Sequence, residues 1–103
     1  MNKSRNKRLS KDQIIDFLKQ KKPYMKKNFD VTKIALFGSY SRDEQKVSSD
    51  IDLLIESESY DFRKRMQLKR FLEESFKKKV DIGYFDSVRF AIKRNIEKDL
   101  IYA

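Results

Sequence analysis

Two aspartates stand one residue apart in the stretch Ser49-Asp50-Ile51-Asp52-Leu53-Leu54-Ile55, where aliphatic residues otherwise dominate. On a β-strand such i, i+2 side chains share a face roughly 7 Å apart, so both carboxylates reach one cation or a pair of cations. Like charges on a half-buried strand repel one another and resist losing water, which makes little sense as packing. A solvated strand edge is the plain alternative, because Asp-x-Asp alone is a weak signal. Asp81 repeats the pattern, an acid between apolar Val80 and Ile82. If its strand neighbours the first, three carboxylates converge, which suits metal ions that stabilise attacking and leaving oxygens. Magnesium is the natural cation, since it takes carboxylate oxygens and keeps positions open for water and phosphate.

Ahead of the pair, Gly38 and Ser39 close a short apolar run, with Arg42 four residues after the glycine and Ser49 directly before Asp50. Glycine lets the backbone turn sharply and approach a ligand, and a Ser hydroxyl with free N–H groups at the start of a short helix can hold phosphate oxygens. By itself a Gly-Ser turn is only a strand-to-helix connection with an N-cap. Arg42 is suited to phosphate contact or to bracing this turn; an exposed helix residue is its bland reading.

The elements that must position these residues come from the periodicity. Ser10 with Gln13 reads as a capping box, and Ile14, Ile15, Phe17 and Leu18 supply the apolar face of a first helix. Pro23 is expected to end or kink it near Lys22, with Tyr24, Met25 and Phe29 packing a following turn. Strands are expected over 33–37, 50–56 and 78–85, the last two carrying the three aspartates. Between them, Phe62, Met66, Leu68, Phe71, Leu72 and Phe76 recur near the helical period, which predicts an amphipathic helix over 61–76. Asp86 or Ser87 caps an expected last helix through Val88, Ile92, Ile96 and Leu100. The fold class is α/β (α+β), a small mixed β-sheet flanked by helices. Residues 1–9 read as a flexible basic N-terminus, and 10–103 as one domain.

The chain has 103 residues and carries 25 Lys and Arg against 16 Asp and Glu, a net +9. The charge is uneven, with basic flanks around an acidic centre over residues 31–60, as expected where a metal site meets a polyanion. Having neither Cys nor His, it excludes disulfides, thiolate or imidazole zinc sites and Ser-His-Asp chemistry. The N-terminus lacks an apolar h-region and no run approaches a membrane span, so a cytoplasmic location is expected.

Together, Gly38-Ser39, ten further residues, Asp50-Ile51-Asp52 and then Asp81 on a later strand resemble the nucleotidyltransferase superfamily related to DNA polymerase β. Within it the chain is similar to the minimal nucleotidyltransferases (MNT), over about residues 10–102 including the closing IEKDLIYA. The resemblance implies a polymerase β-like catalytic core in which Gly38 and Ser39, with Arg42 and Ser49, bind the nucleotide. It implies that Asp50 and Asp52 ligate Mg2+, two ions being expected, while Asp81 completes the metal site and helps to activate an acceptor hydroxyl as general base. ATP is then the substrate, a HEPN-domain toxin the partner, and transfer of AMP to a tyrosine of that partner the antitoxin activity. A non-catalytic toxin-binding module stays open, as does transfer to a small molecule or an RNA end. The basic first thirty residues keep RNA contact in play. Where the family commonly has Gly after the Arg, Asp43 stands here, a residue that tolerates left-handed geometry. Tyr40 is suited to stacking on a base or to shielding the turn.

Overall fold

The computed structural model describes residues 9–87 and 97–103. Helix α1 (Lys11–Phe29) begins as its capping box predicts: the Ser10 N–H donates to Gln13 Oε1 (2.9 Å) and the Gln13 N–H to Ser10 Oγ (3.2 Å). It does not end at Pro23; the last turns continue to Phe29, where Asp30 at φ 62° closes the helix. A proline inside a helix costs about 3 kcal/mol. Met25 and Phe29 lie beyond it and are buried, and burying side chains of that size contributes about 1.5–3 kcal/mol each. Packing thus carries the helix through the residue expected to stop it.

Strands β1 (Val31–Phe37), β2 (Ile51–Ser57), β3 (Val80–Tyr84) and β4 (Ile101–Tyr102) form one sheet in the order β3-β2-β1-β4. β1 is antiparallel to both its neighbours, whereas β2 and β3 are parallel and joined by helix α2 (Phe62–Phe76). The sheet is therefore mixed, and β4 adds a fourth strand directly after Leu100. Residues 88–96, where Val88, Ile92 and Ile96 of the expected last helix fall, and the basic residues 1–8 lie outside the described residues. Leu9 packs against the core, one residue before the expected boundary of the domain.

Both helices cover the same face of the sheet. Ile34, Leu36, Leu53, Ile55, Val80 and Ile82 form that face, and Ile14, Leu18, Leu68 and Leu72 pack into it. Because successive strand residues alternate, Ala35, Asp52, Leu54, Asp81 and Gly83 belong to the opposite face. Asp61 caps α2 by accepting from the Arg63 and Lys64 N–H groups. Phe62 and Met66, expected in the apolar stripe, are 65% and 42% exposed. The Arg65 guanidinium sits 5.6 Å from the Phe62 and Tyr84 ring centres, which places this first turn at the rim of the sheet. α2 also protects the free edge of β3: Glu73 accepts from the Val80 N–H (3.0 Å) and Arg65 donates to the Ile82 carbonyl (2.9 Å).

Candidate active site

β1 ends where β2 and β3 begin, and all three expected acids gather at this end of the sheet. In the register, Phe37 faces Asp52 across the antiparallel pair, and Asp52 faces Asp81 across the parallel one. Asp52 and Asp81 are therefore direct neighbours on one face, with strands about 4.8 Å apart. Asp50 directly precedes β2 and is exposed, as is Asp81, whereas Asp52 is half-buried. Burial, then the charges of Asp81 and Asp50, push the Asp52 carboxyl above its ordinary value of 3.8, while Arg42 pulls it down.

Gly38 meets this group from the end of β1. Its φ is +81°, and a Cβ added there would lie 2.3 Å from Asp52 Oδ2 and 3.1 Å from its Cγ. Two constraints therefore converge on one position: the left-handed backbone and the space occupied by the carboxylate.

After Gly38 the chain makes overlapping turns over 39–43 instead of the expected short helix. The Ser41 and Arg42 N–H groups both turn back to the Gly38 carbonyl (3.1 and 3.3 Å), and the Glu44 N–H donates to the Ser39 carbonyl (2.8 Å). Asp43 takes φ 59°, the left-handed geometry that its side chain tolerates. The phosphate-binding geometry of a helix N-terminus is thus replaced by a turn.

Ser39, half-buried, follows Gly38 directly, and its hydroxyl has no hydrogen-bond partner among the described residues. Arg42 donates to Glu44 (3.0 Å) and Asp99 (3.2 Å), which braces the turn against the approach to β4. Ser49 Oγ accepts from the Lys46 N–H (2.8 Å), so this hydroxyl closes the loop ahead of Asp50. Tyr40 is only 3% exposed and belongs to the core, which removes it as a stacking platform for a base. Sequence reasoning missed Ser41, whose buried hydroxyl donates to the Gly38 carbonyl (2.8 Å). Its signal was a hydroxyl three residues after a turn glycine, a spacing that side-chain-to-backbone turns use. Gln45 was also missed: its buried Oε1 finds no partner among the described residues.

Among the described residues no three carboxylates already form a ready-made ligand cluster. The donor chemistry nevertheless fits a hard divalent cation. Asp52 is disfavoured as an anion by burial and by two neighbouring acids, and a cation at this end of the sheet relieves that strain.

Among the described residues, then, a mixed sheet carries two helices on one face and a glycine turn against paired strand aspartates on the other. Residues 11–103 match the family described as nucleotidyltransferase domain. The chain belongs to that family, whose activity is enzymatic nucleotidyl transfer. A candidate protein adenylyltransferase of Methanocaldococcus jannaschii is 40% identical over 92 residues, covering 87% of this chain and 94% of the relative. The protein adenylyltransferase MntA of Thermococcus cleftensis is 30% identical over 95 residues, covering 91% and 96%. Among solved structures, a toxin-antitoxin complex with AMP-PNP aligns with a TM-score of 0.65 at 25% identity, over 91% of this chain and 72% of that one. The fold is shared by a Shewanella oneidensis complex of a tri-AMPylated HEPN toxin with its MNT antitoxin, with a TM-score of 0.56 at 22% identity over 89% and 66%. No helix among the described residues is long and apolar enough to cross a membrane.

Proposed function

We propose that this chain is a magnesium-dependent protein adenylyltransferase that moves AMP from ATP to a tyrosine hydroxyl of a HEPN-domain toxin, and thereby acts as its antitoxin in the cytoplasm. The observation that carries the reading is the contact of Gly38 with Asp52 beside Asp81, where bare backbone meets a half-buried acid with an exposed one next to it. Relatives named protein adenylyltransferases support the reaction, and toxin-antitoxin neighbours, one with AMP-PNP and one with an AMPylated HEPN toxin, support the partner.

In this reading the missing side chain at Gly38 lets the Asp52 carboxylate close against the turn, and the Ser39 hydroxyl donates to a phosphate oxygen of the triphosphate. Asp50, Asp52 and Asp81 would hold magnesium, which when bound supplies neutralisation of the phosphate charge. Asp81, exposed beside Asp52, takes the proton of the tyrosine hydroxyl. The phenolic oxygen then bonds to the α-phosphorus as the bond from that phosphorus to the β-bridging oxygen breaks, and pyrophosphate leaves with the electron pair. Arg42 and Ser49 act by holding the two loop ends in place, beyond any phosphate they touch.

The test mixes the chain with ATP, MgCl2 and its HEPN partner and reads AMP additions by intact and peptide mass. Tyrosine-borne AMP is expected. Asp50→Asn with Asp52→Asn should still form the complex but lose both transfer and neutralisation. Neutralisation retained by that variant would overturn catalysis in favour of occlusion.

A further inference from the structure

We infer that Lys79 holds the β- and γ-phosphates of the nucleotide, the portion that departs as pyrophosphate; this rests on the nucleotidyl-transfer reading above. Ile51 and Val80 are partners in the parallel register, so Asp50 and Lys79 enter their strands side by side, one residue earlier. The Lys79 carbonyl already accepts from the Ile51 N–H at 3.0 Å, which fixes the backbone there. Val80 and Ile82 point into the core beneath the helices, and Asp81 lies on the opposite face. Continued back by two residues, the same alternation puts Lys79 on the face of Asp81 and Asp52. Lys79 thus enters beside Asp50 at the border of the acidic face, exposed and without an ion pair among the described residues.

Three cations near the site are engaged elsewhere. Lys11 pairs with Asp43 (3.1 Å), Arg42 with Glu44 and Asp99 (3.0 and 3.2 Å), and Lys78 donates to the Val47 carbonyl (2.8 Å). Lys78 therefore ties the loop before Asp50 to the entry of β3 and leaves the next lysine to meet a ligand. A triphosphate whose α-phosphate sits at Asp52 must extend its remaining phosphates beyond the strand ends. An ammonium group at that border offsets the charge that builds on the bridging oxygen as the bond to the α-phosphorus breaks.

The experiment measures binding of ATP and of AMP, each with MgCl2, to the full chain and to Lys79→Gln and Lys79→Arg by titration calorimetry. Lys79→Gln should weaken ATP about tenfold and leave AMP unchanged, because AMP lacks both distal phosphates; Lys79→Arg should restore most of the ATP affinity. ATP affinity unchanged in Lys79→Gln, or an equal loss for AMP, overturns the role of Lys79 while AMP transfer by the wild-type chain leaves the underlying reading standing. A wild-type chain that binds neither nucleotide overturns both. Melting temperatures of the variants verify folding, which the exposed side chain does not support.

Discussion

Replacing Gly38 with Ala tests the centre of the site with the smallest possible change. A non-glycine residue at φ +81° costs roughly 1–2 kcal/mol in backbone strain. The added methyl would also lie 2.3 Å from Asp52 Oδ2, where ordinary contacts begin at 3.4 Å, so the carboxylate has to swing by about an ångström. The strain alone lowers the melting temperature of a domain this size by about 5–15 °C. Misplacing a reacting group by about 1 Å reduces turnover on the order of 100-fold. Both effects are read on one preparation, by thermal unfolding and by mass analysis of AMP transfer. A double-mutant cycle with Asp52→Ala separates the two causes, because only the clash depends on the carboxylate. Gly38→Ala should cost less stability in the Asp52→Ala background than in the wild type. Equal costs in both backgrounds, or transfer within twofold of wild type, would refute the claim that Asp52 excludes a side chain at position 38.

Asp52→Asn should abolish transfer yet raise the melting temperature at neutral pH in chelator. Burial and the charges of Asp81 and Asp50 raise the Asp52 pKa above 3.8, so the folded chain binds this proton more readily than the unfolded chain. Stability is then lost as pH rises through that window, and the advantage of Asn should vanish below the unfolded value; a variant no more stable than wild type at neutral pH contradicts the assignment. Pro23→Ala should stabilise the chain by about 1–3 kcal/mol in urea unfolding, by restoring a backbone donor inside α1. No gain would mean that the helix already relieves its proline by another route.

Features governed by local chemistry were legible in the sequence. The capping box at Ser10 and Gln13, the alternation through Asp52 and Leu54, and the left-handed tolerance of Asp43 each depend on a few neighbouring residues. The adjacency of Asp52 and Asp81 was legible only as a condition, because strand pairing is a long-range outcome that periodicity does not encode. Pro23 misled for the same reason: the local penalty was correct, but burial of Met25 and Phe29 outweighed it. Phe62 and Met66 had the right period and the wrong surroundings, since a helix face is buried only where the sheet reaches it. Tyr40 beside a polar turn read either as a stacking platform or as a shield for the turn, and its burial in the core removes the first. Ser41 and Ser49 serve backbone groups of their own loops, roles that appear only once the turns are formed.

The division of the sheet into two faces explains how so small a chain sustains an electrostatically unfavourable site. Both helices bury one face, and the core there supplies the stability. The acids sit on the other face at the end where β1 finishes and β2 and β3 begin; Asp50 and Asp81 are exposed there and only Asp52 is partly desolvated. What the core cannot do from behind is hold the turn and loop that flank the acids. Three polar tethers do this from three directions: Lys11 of α1 to Asp43, Asp99 before β4 to Arg42, and Lys78 before β3 to the Val47 carbonyl. The two surface ion pairs contribute only about 0–1 kcal/mol each and the lysine-to-carbonyl hydrogen bond about 1 kcal/mol, too little to explain their arrangement as stability. Their positions make sense as geometry, because each fixes a segment adjoining Gly38 or Asp50 and so holds the acidic face in register.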